Sequence, residues 1–290
     1  MGQSYSNIKD VYKDISTIDG YFWEKNDNGK LSEFANGSIR KYCPYYRNDK
    51  GLGTCLDYHE MATSGVINLV ENLMKYGLGY DKLAEYAILF LSYKLKQHSD
   101  YRHRKLNDIY TKNIEKNKYY NEKIKVNGLT CKEIIDKKKD LMNTNEISKF
   151  NGPFSILVLL YNEIKKKKTN CTNLSQKANE FVQNFKELNE DSNINGNSSC
   201  RKLLSTLSND YDNFKIYFSE KCNDCNDLPT LPKIKMPLTK LILVLSTFPV
   251  IPVFLGIAYK YSLFGIDKLF QRQYIRKKLK KVKKKMKLNI

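Results

Sequence analysis

The chain has 290 residues, with 50 Lys and Arg against 31 Asp and Glu, a net charge of +19. That charge is divided unevenly. Residues 241–290 hold 12 Lys/Arg against the single acid Asp267, whereas residues 1–240 hold 38 against 30, so the larger region is only moderately basic and its charge does not argue for a nucleic-acid partner. Lysine at 43 against 7 arginines, 29 asparagines and only 6 alanines reads as the codon bias of an A/T-rich genome, and part of the basic character is that background.

The opening MGQSYSNIKD has no apolar core and is not expected to act as a cleaved signal peptide. Met1-Gly2 with Ser6 fits the short myristoylation pattern. Residues 26–38 read as an exposed loop. From residue 56 the apolar residues recur with helical spacing. Val66, Leu69, Val70, Leu73 and Met74 make one stripe, stopped by Gly77 and Gly79. Residues 81–97 are apolar nearly all round and should form the central buried helix. Residues 100–126 are polar with looser apolar spacing, which predicts a partly exposed helix or hairpin. Thr130 and Glu133 have capping-box spacing and should start the next helix. Gly152-Pro153 is expected to break the chain ahead of a short core helix over 154–164. Leu174, Ala178, Phe181, Val182, Phe185 and Leu188 predict a further helix, and residues 189–199 a polar loop. Leu203, Leu207, Tyr211, Phe214 and Phe218 predict the last helix of an all-α, multi-helix domain with one core.

Pro229, Pro232 and Pro237 make 226–239 a stiff stalk. Residues 241–259 (LILVLSTFPVIPVFLGIAY) carry no charge between the flanking Lys240 and Lys260. At about 1.5 Å per residue they reach close to the ~30 Å of a hydrocarbon core, and Pro249 and Pro252 suit a membrane helix better than a soluble one. Residues 271–290 contain ten Lys/Arg and no acid. By the positive-inside rule this tail is cytoplasmic, near anionic lipid, and residues 1–240 lie on the other side. The expected order is therefore an ectodomain over 1–225, the stalk over 226–239, a transmembrane helix over 240–260 and a basic tail over 261–290.

Seven cysteines, Cys43, Cys55, Cys131, Cys171, Cys200, Cys222 and Cys225, all precede the apolar segment, as suits an oxidising exterior and a reducing cytosol. All seven are candidate disulfide cysteines, although their odd number leaves at least one without an intramolecular partner. Cys222 and Cys225 have redox-motif spacing without a thioredoxin-like strand and helix, so each is expected in a structural disulfide with a partner elsewhere. His59, His98 and His103 are expected on the surface. The residues offer no phosphate loop, metalloprotease helix or serine elbow, so no catalytic, cofactor-binding or metal-binding residue is named. Gly51-Leu52-Gly53 reads as a turn. The sequons at Asn36, Asn170, Asn173 and Asn197 are of a number that an asparagine-rich chain produces by chance.

Several stretches together carry a resemblance over nearly the whole chain: Tyr42-Cys43-Pro44, residues 81–95 (DKLAEYAILFLSYKL), 134–142, 145–150 (NEISKF), 185–194 (FKELNEDSNI), 204–211 (LSTLSNDY) and 261–286. In these the chain resembles the Plasmodium interspersed repeat (PIR) family of variant surface antigens, in its rodent-parasite branch. The resemblance implies a non-enzymatic, single-pass antigen with a cysteine-stapled helical ectodomain, exported to or near the infected red-cell surface, where variation evades antibodies. Host-cell receptors or antibodies are then the partners outside and the bilayer the partner inside, with a specific adhesin or an intracellular membrane scaffold as the alternatives. Two departures stand out. Ser4 and Ser6 occupy a region where members often carry a cysteine, leaving the partner of one downstream cysteine open, and the linker before the membrane is short.

Overall fold

The structure, a computed structural model, describes residues 8–28, 30–124, 128–164, 170–222, 225, 227–235 and 270–283. They fall into two compact units, 1–235 and 236–290. The described residues of the first form helices and one small hairpin.

Helix α1 (Ile8–Asp19) buries Ile8, Val11, Tyr12, Ile15 and Ile18, a 3–4 stripe that covers one face. It is followed by an antiparallel hairpin, β1 (Phe22–Asp27) and β2 (Lys30–Ala35), paired from Phe22↔Ala35 to Asp27↔Lys30. The expected exposed loop over 26–38 is therefore half strand. Its signal is the Asn28-Gly29 dipeptide of a two-residue hairpin turn, and Asn28 takes the left-handed conformation such a turn needs, φ 53°. Phe22 is buried against the helices, while Trp23 and Phe34 stack on the outer face at 5.4 Å.

Helix α2 (Tyr58–Leu73) starts on Asp57, whose carboxylate accepts from the Glu60 amide at 3.0 Å, and a short helical turn after it ends on Gly77 with φ 66°. Helix α3 (Tyr80–Gln97) is buried nearly all round, as its sequence predicts. It runs through the middle of the unit against α2, α5 (Cys131–Asp136) and α7 (Asn151–Glu163). Between α3 and α5 the expected helix or hairpin is a series of short turns, including α4 (Leu106–Ile109) and an isolated bridge between Lys123 and Thr130. The capping box of Thr130 and Glu133 is formed, and α6 (Lys139–Asn143) follows α5 after a break at Lys138.

Gly152 and Pro153 do not break the chain. They lie in the first turn of α7, where an amide has no partner within the helix and proline's missing N–H costs nothing. Helices α8 (Cys171–Glu190), α9 (Ser192–Gly196) and α10 (Ser198–Lys221) close the unit. The predicted polar loop over 189–199 is instead the end of α8, the whole of α9 and the start of α10, with α9 capped by Asp191 and anchored by the buried Ile194.

The described part of the expected stalk, 227–235, is extended chain held on the first unit. Leu228 is buried, the Tyr211 hydroxyl donates to the Pro229 carbonyl at 2.9 Å, and Asn189 bonds the Lys233 carbonyl and the Lys235 amide, each at 2.9 Å. In the second unit residues 270–283 form a helix, α11, with Phe270, Tyr274, Ile275, Leu279 and Val282 exposed. Among the described residues no helix is long and apolar enough to cross a membrane. The predicted span over 240–260, with Lys240 and Lys260, lies outside the described residues.

Candidate functional site

The cysteines sort into two groups. Cys43 is joined to Cys55, and Cys171 to Cys225. The first bond closes the segment ahead of α2, and Gly53 within it is packed so closely that a Cβ there would lie 2.1 Å from the Cys43 carbonyl oxygen. Gly53 is therefore more than a turn residue. Cys131, Cys200 and Cys222, named above as candidate disulfide cysteines, are buried thiols instead. Cys131 and Cys200 lie in the first turns of α5 and α10 on core-facing positions, while Cys222 ends α10, its carbonyl accepting from the Cys225 amide at 3.0 Å. Cys225 thus has the distant partner expected of it and Cys222 does not. Burial pushes the Cys131 thiol well up and the Cys200 thiol up to about 11, so neither is a poised nucleophile.

The ionisable groups of the interior are joined helix to helix. Asp210 of α10, fully buried, accepts from the Tyr86 hydroxyl at 2.7 Å, the Tyr12 hydroxyl at 2.9 Å and the Lys82 ammonium at 3.1 Å. Tyr161 donates to its backbone carbonyl at 2.8 Å. Burial raises the Asp210 pKa, against the pull of Lys82 and the two hydroxyls. Lys94 of α3, 1% exposed, reaches the Asp19 carboxylate at 2.8 Å and the carbonyls of Asp19 and Phe22 at 3.0 Å each. Burial lowers its pKa and Asp19 offsets part of the fall. Lys138, between α5 and α6, meets Glu85 at 3.1 Å and Asp81 at 3.3 Å, and Glu85 also accepts from Thr206 at 2.7 Å. Each cluster ends or joins helices, and each leaves its acid and base engaged rather than facing open space.

The histidines are not all on the surface. His98 is buried beside Tyr58, with Nε2 at 2.9 Å from Glu33 of the hairpin and Nδ1 accepting from the Asp100 amide at 3.1 Å. It fastens the hairpin to the end of α3. His59, half-buried, places Nδ1 at 2.6 Å from Asp57 and Nε2 at 2.9 Å from Asn113. Burial lowers its pKa, but the Asp57 carboxylate outweighs that and holds it above the usual value. Burial likewise raises Asp57, and the bond to His59 brings it below its usual value. Only His103 is exposed. Two of the four sequon asparagines serve locally: Asn170 caps α8 and Asn197 caps α10. Among the described residues no group of three or more His, Cys, Asp or Glu is placed to hold a metal.

Neither Asp210 nor Lys94 was singled out by the sequence, although a signal was present. Asp210 lies three residues after Leu207, and Lys94 between Leu91 and Leu95, both at core spacing. The exposed surface instead gathers aromatics: Trp23 and Phe34 on the hairpin and Tyr46, 82% exposed, in the disulfide-closed segment.

A family model described as Plasmodium variant antigen protein Cir/Yir/Bir matches residues 12–260. A solved structure described as that of a Plasmodium PIR protein ectodomain is 31% identical, with a TM-score of 0.57, and the match covers 80% of this chain and 100% of that one. No curated protein matches.

Proposed function

Because the chain belongs to the Plasmodium Cir/Yir/Bir family of variant antigens, we propose that it is a non-enzymatic, single-pass surface antigen of the infected red cell. Residues 1–235 then face outward, 241–259 cross the bilayer and the basic tail is cytoplasmic. The observation that carries this reading is the family match over 12–260, which runs through both the helical unit and the apolar segment. Three features support it. The two disulfides suit an oxidising exterior. The ionisable residues of the core are taken up in joining helices, which leaves surface positions free to vary over a fixed interior. In the tail, α11 has Ile275, Leu279 and Val282 within one arc of the helix and lysines and arginines around the rest, a pattern suited to lying on an anionic lipid surface.

Immune evasion by surface variation is the role we assign to this arrangement. Protease shaving of intact infected red cells, probed with separate antibodies to residues 1–230 and 271–290, tests it. Loss of the first epitope with the second protected is the expected result. Protection of both would place the protein on an internal membrane, and loss of the second epitope alone would reverse its orientation. Specific adhesion is the second reading, favoured by the stacked, exposed Trp23 and Phe34, since tryptophan and tyrosine are over-represented at binding hot spots. Saturable binding of the folded protein to host cells, lost when Trp23 and Phe34 are replaced by serine, distinguishes it.

A further inference from the structure

A cleft of about 400 Å³ lies between the end of α3, the segment 101–108 that follows it, and residues 142–151. Its rim carries Lys96, Arg102, Arg104 and Lys105, all exposed. Among the described residues none of these four cations is paired with a carboxylate. Arg102 Nε donates to the Ser99 carbonyl at 3.2 Å, and Arg104 lies over the Tyr101 ring at 5.4 Å, which leaves most of both guanidinium groups unengaged. Asp108 is the one acid of the lining, against those four cations and His103.

The walls are polar as well. Asn151 lines the cleft at 7% exposure; its amide nitrogen donates to the Ser92 carbonyl at 3.3 Å, yet its Oδ1 accepts nothing. Asn107, also in the lining, has a buried Oδ1 with no donor. Both oxygens lie beneath the cleft surface, so they make the wall polar without being the atoms a ligand meets. The exposed part of the lining is otherwise carboxamide and hydroxyl, from Asn143, Asn145 and Ser148.

We propose that this cleft binds a polyhydroxylated anion, a sugar ring bearing sulfate or phosphate groups. The sugar hydroxyls pair with the exposed Asn143, Asn145 and Ser148, and the anionic groups sit among Lys96, Arg102, Arg104 and Lys105, where the guanidinium forks of Arg102 and Arg104 match sulfate and phosphate oxygens. A bare inorganic anion satisfies the rim alone, and a neutral sugar the walls alone. The cleft therefore prefers a molecule that is both. This extends the host-interaction reading but does not depend on it, because the binding experiment is indifferent to where the protein resides.

The full-length protein in detergent is titrated calorimetrically with a sulfated disaccharide and with a sugar phosphate. At least one is expected to bind, and to do so more tightly than the unsulfated disaccharide or inorganic sulfate. Replacing Arg102, Arg104 and Lys105 together by alanine should weaken binding about tenfold, since three exposed charge pairs are removed at once. The basic tail is intact in that variant, so unchanged affinity would assign the binding to the tail and overturn the proposal. Asn151→Asp keeps the side-chain size and puts a negative charge in the wall. It should weaken binding with the circular dichroism unchanged, and Asn145→Ala, at an exposed position of the lining, tests the contact to the sugar. Failure of both sugars to bind, or an acidic peptide binding as tightly as they do, would also overturn it.

Discussion

Four helices meet at Asp210, which α10 contributes and to which α1, α3 and α7 supply Tyr12, Tyr86 with Lys82, and Tyr161. Removing its carboxylate by Asp210→Ala leaves a part-buried ammonium and two buried hydroxyls without that acceptor, and a loss of about 3 kcal/mol is expected from urea denaturation. Asp210→Asn, which keeps an acceptor, should lose less. The Asp57 and His59 pair adds a pH dependence. His59 has its folded pKa raised, so its contribution is fully present below the unfolded value and fades as pH rises through the folded one. Asp57 has its folded pKa lowered, so its contribution is present above the unfolded carboxylate value and fades as pH falls through the folded one. The pair is thus strongest between the carboxylate and imidazole ranges. His59→Gln should therefore cost more stability at pH 5.5 than at pH 8.5, measured by parallel denaturation curves; equal costs would mean that His59 acts there only as a neutral ring.

At the scale of elements, the disulfides differ in what they constrain. Cys171–Cys225 spans 54 residues and ties the start of α8 to the segment after α10, whereas Cys43–Cys55 spans 12. By loop-closure entropy the longer bond stabilises by about 4 kcal/mol and the shorter by about 3. Replacing Cys171 and Cys225 by serine should lower the melting temperature more than replacing Cys43 and Cys55. The elements themselves were readable wherever one local pattern determined them. The stripe of α2, the all-round apolarity of α3 and the capping box of α5 were visible because each depends on residues a few positions apart. The hairpin was legible only through Asn28-Gly29, since its strands are short and half polar. Residues 189–199 read as a loop by composition, yet Asp191 and Ile194 suffice to fold α9 because α8 and α10 supply the surface that Ile194 covers.

For the molecule as a whole, the first unit extends to residue 235. A chain ending at residue 226 forfeits the burial of Leu228 and the bonds to Tyr211 and Asn189, so it should be less stable than one ending at 235 by about 2–4 kcal/mol. Equal denaturation midpoints for the two would show the segment to be a detachable stalk. From its sequence alone the chain declares helical periodicity, an uncharged stretch of membrane length, a charge gradient across it and a family resemblance. All of these are properties of residues near one another in sequence or of composition. The tertiary structure decided which cysteines pair, which histidines are buried, that Asp210 and Lys94 join helices, and that Asn151 and four cations share one cleft. Those outcomes depend on residues brought together from far apart in the chain, Tyr12 and Asp210 across 198 positions. A local pattern marks a residue's burial, but only the packed chain selects its partner.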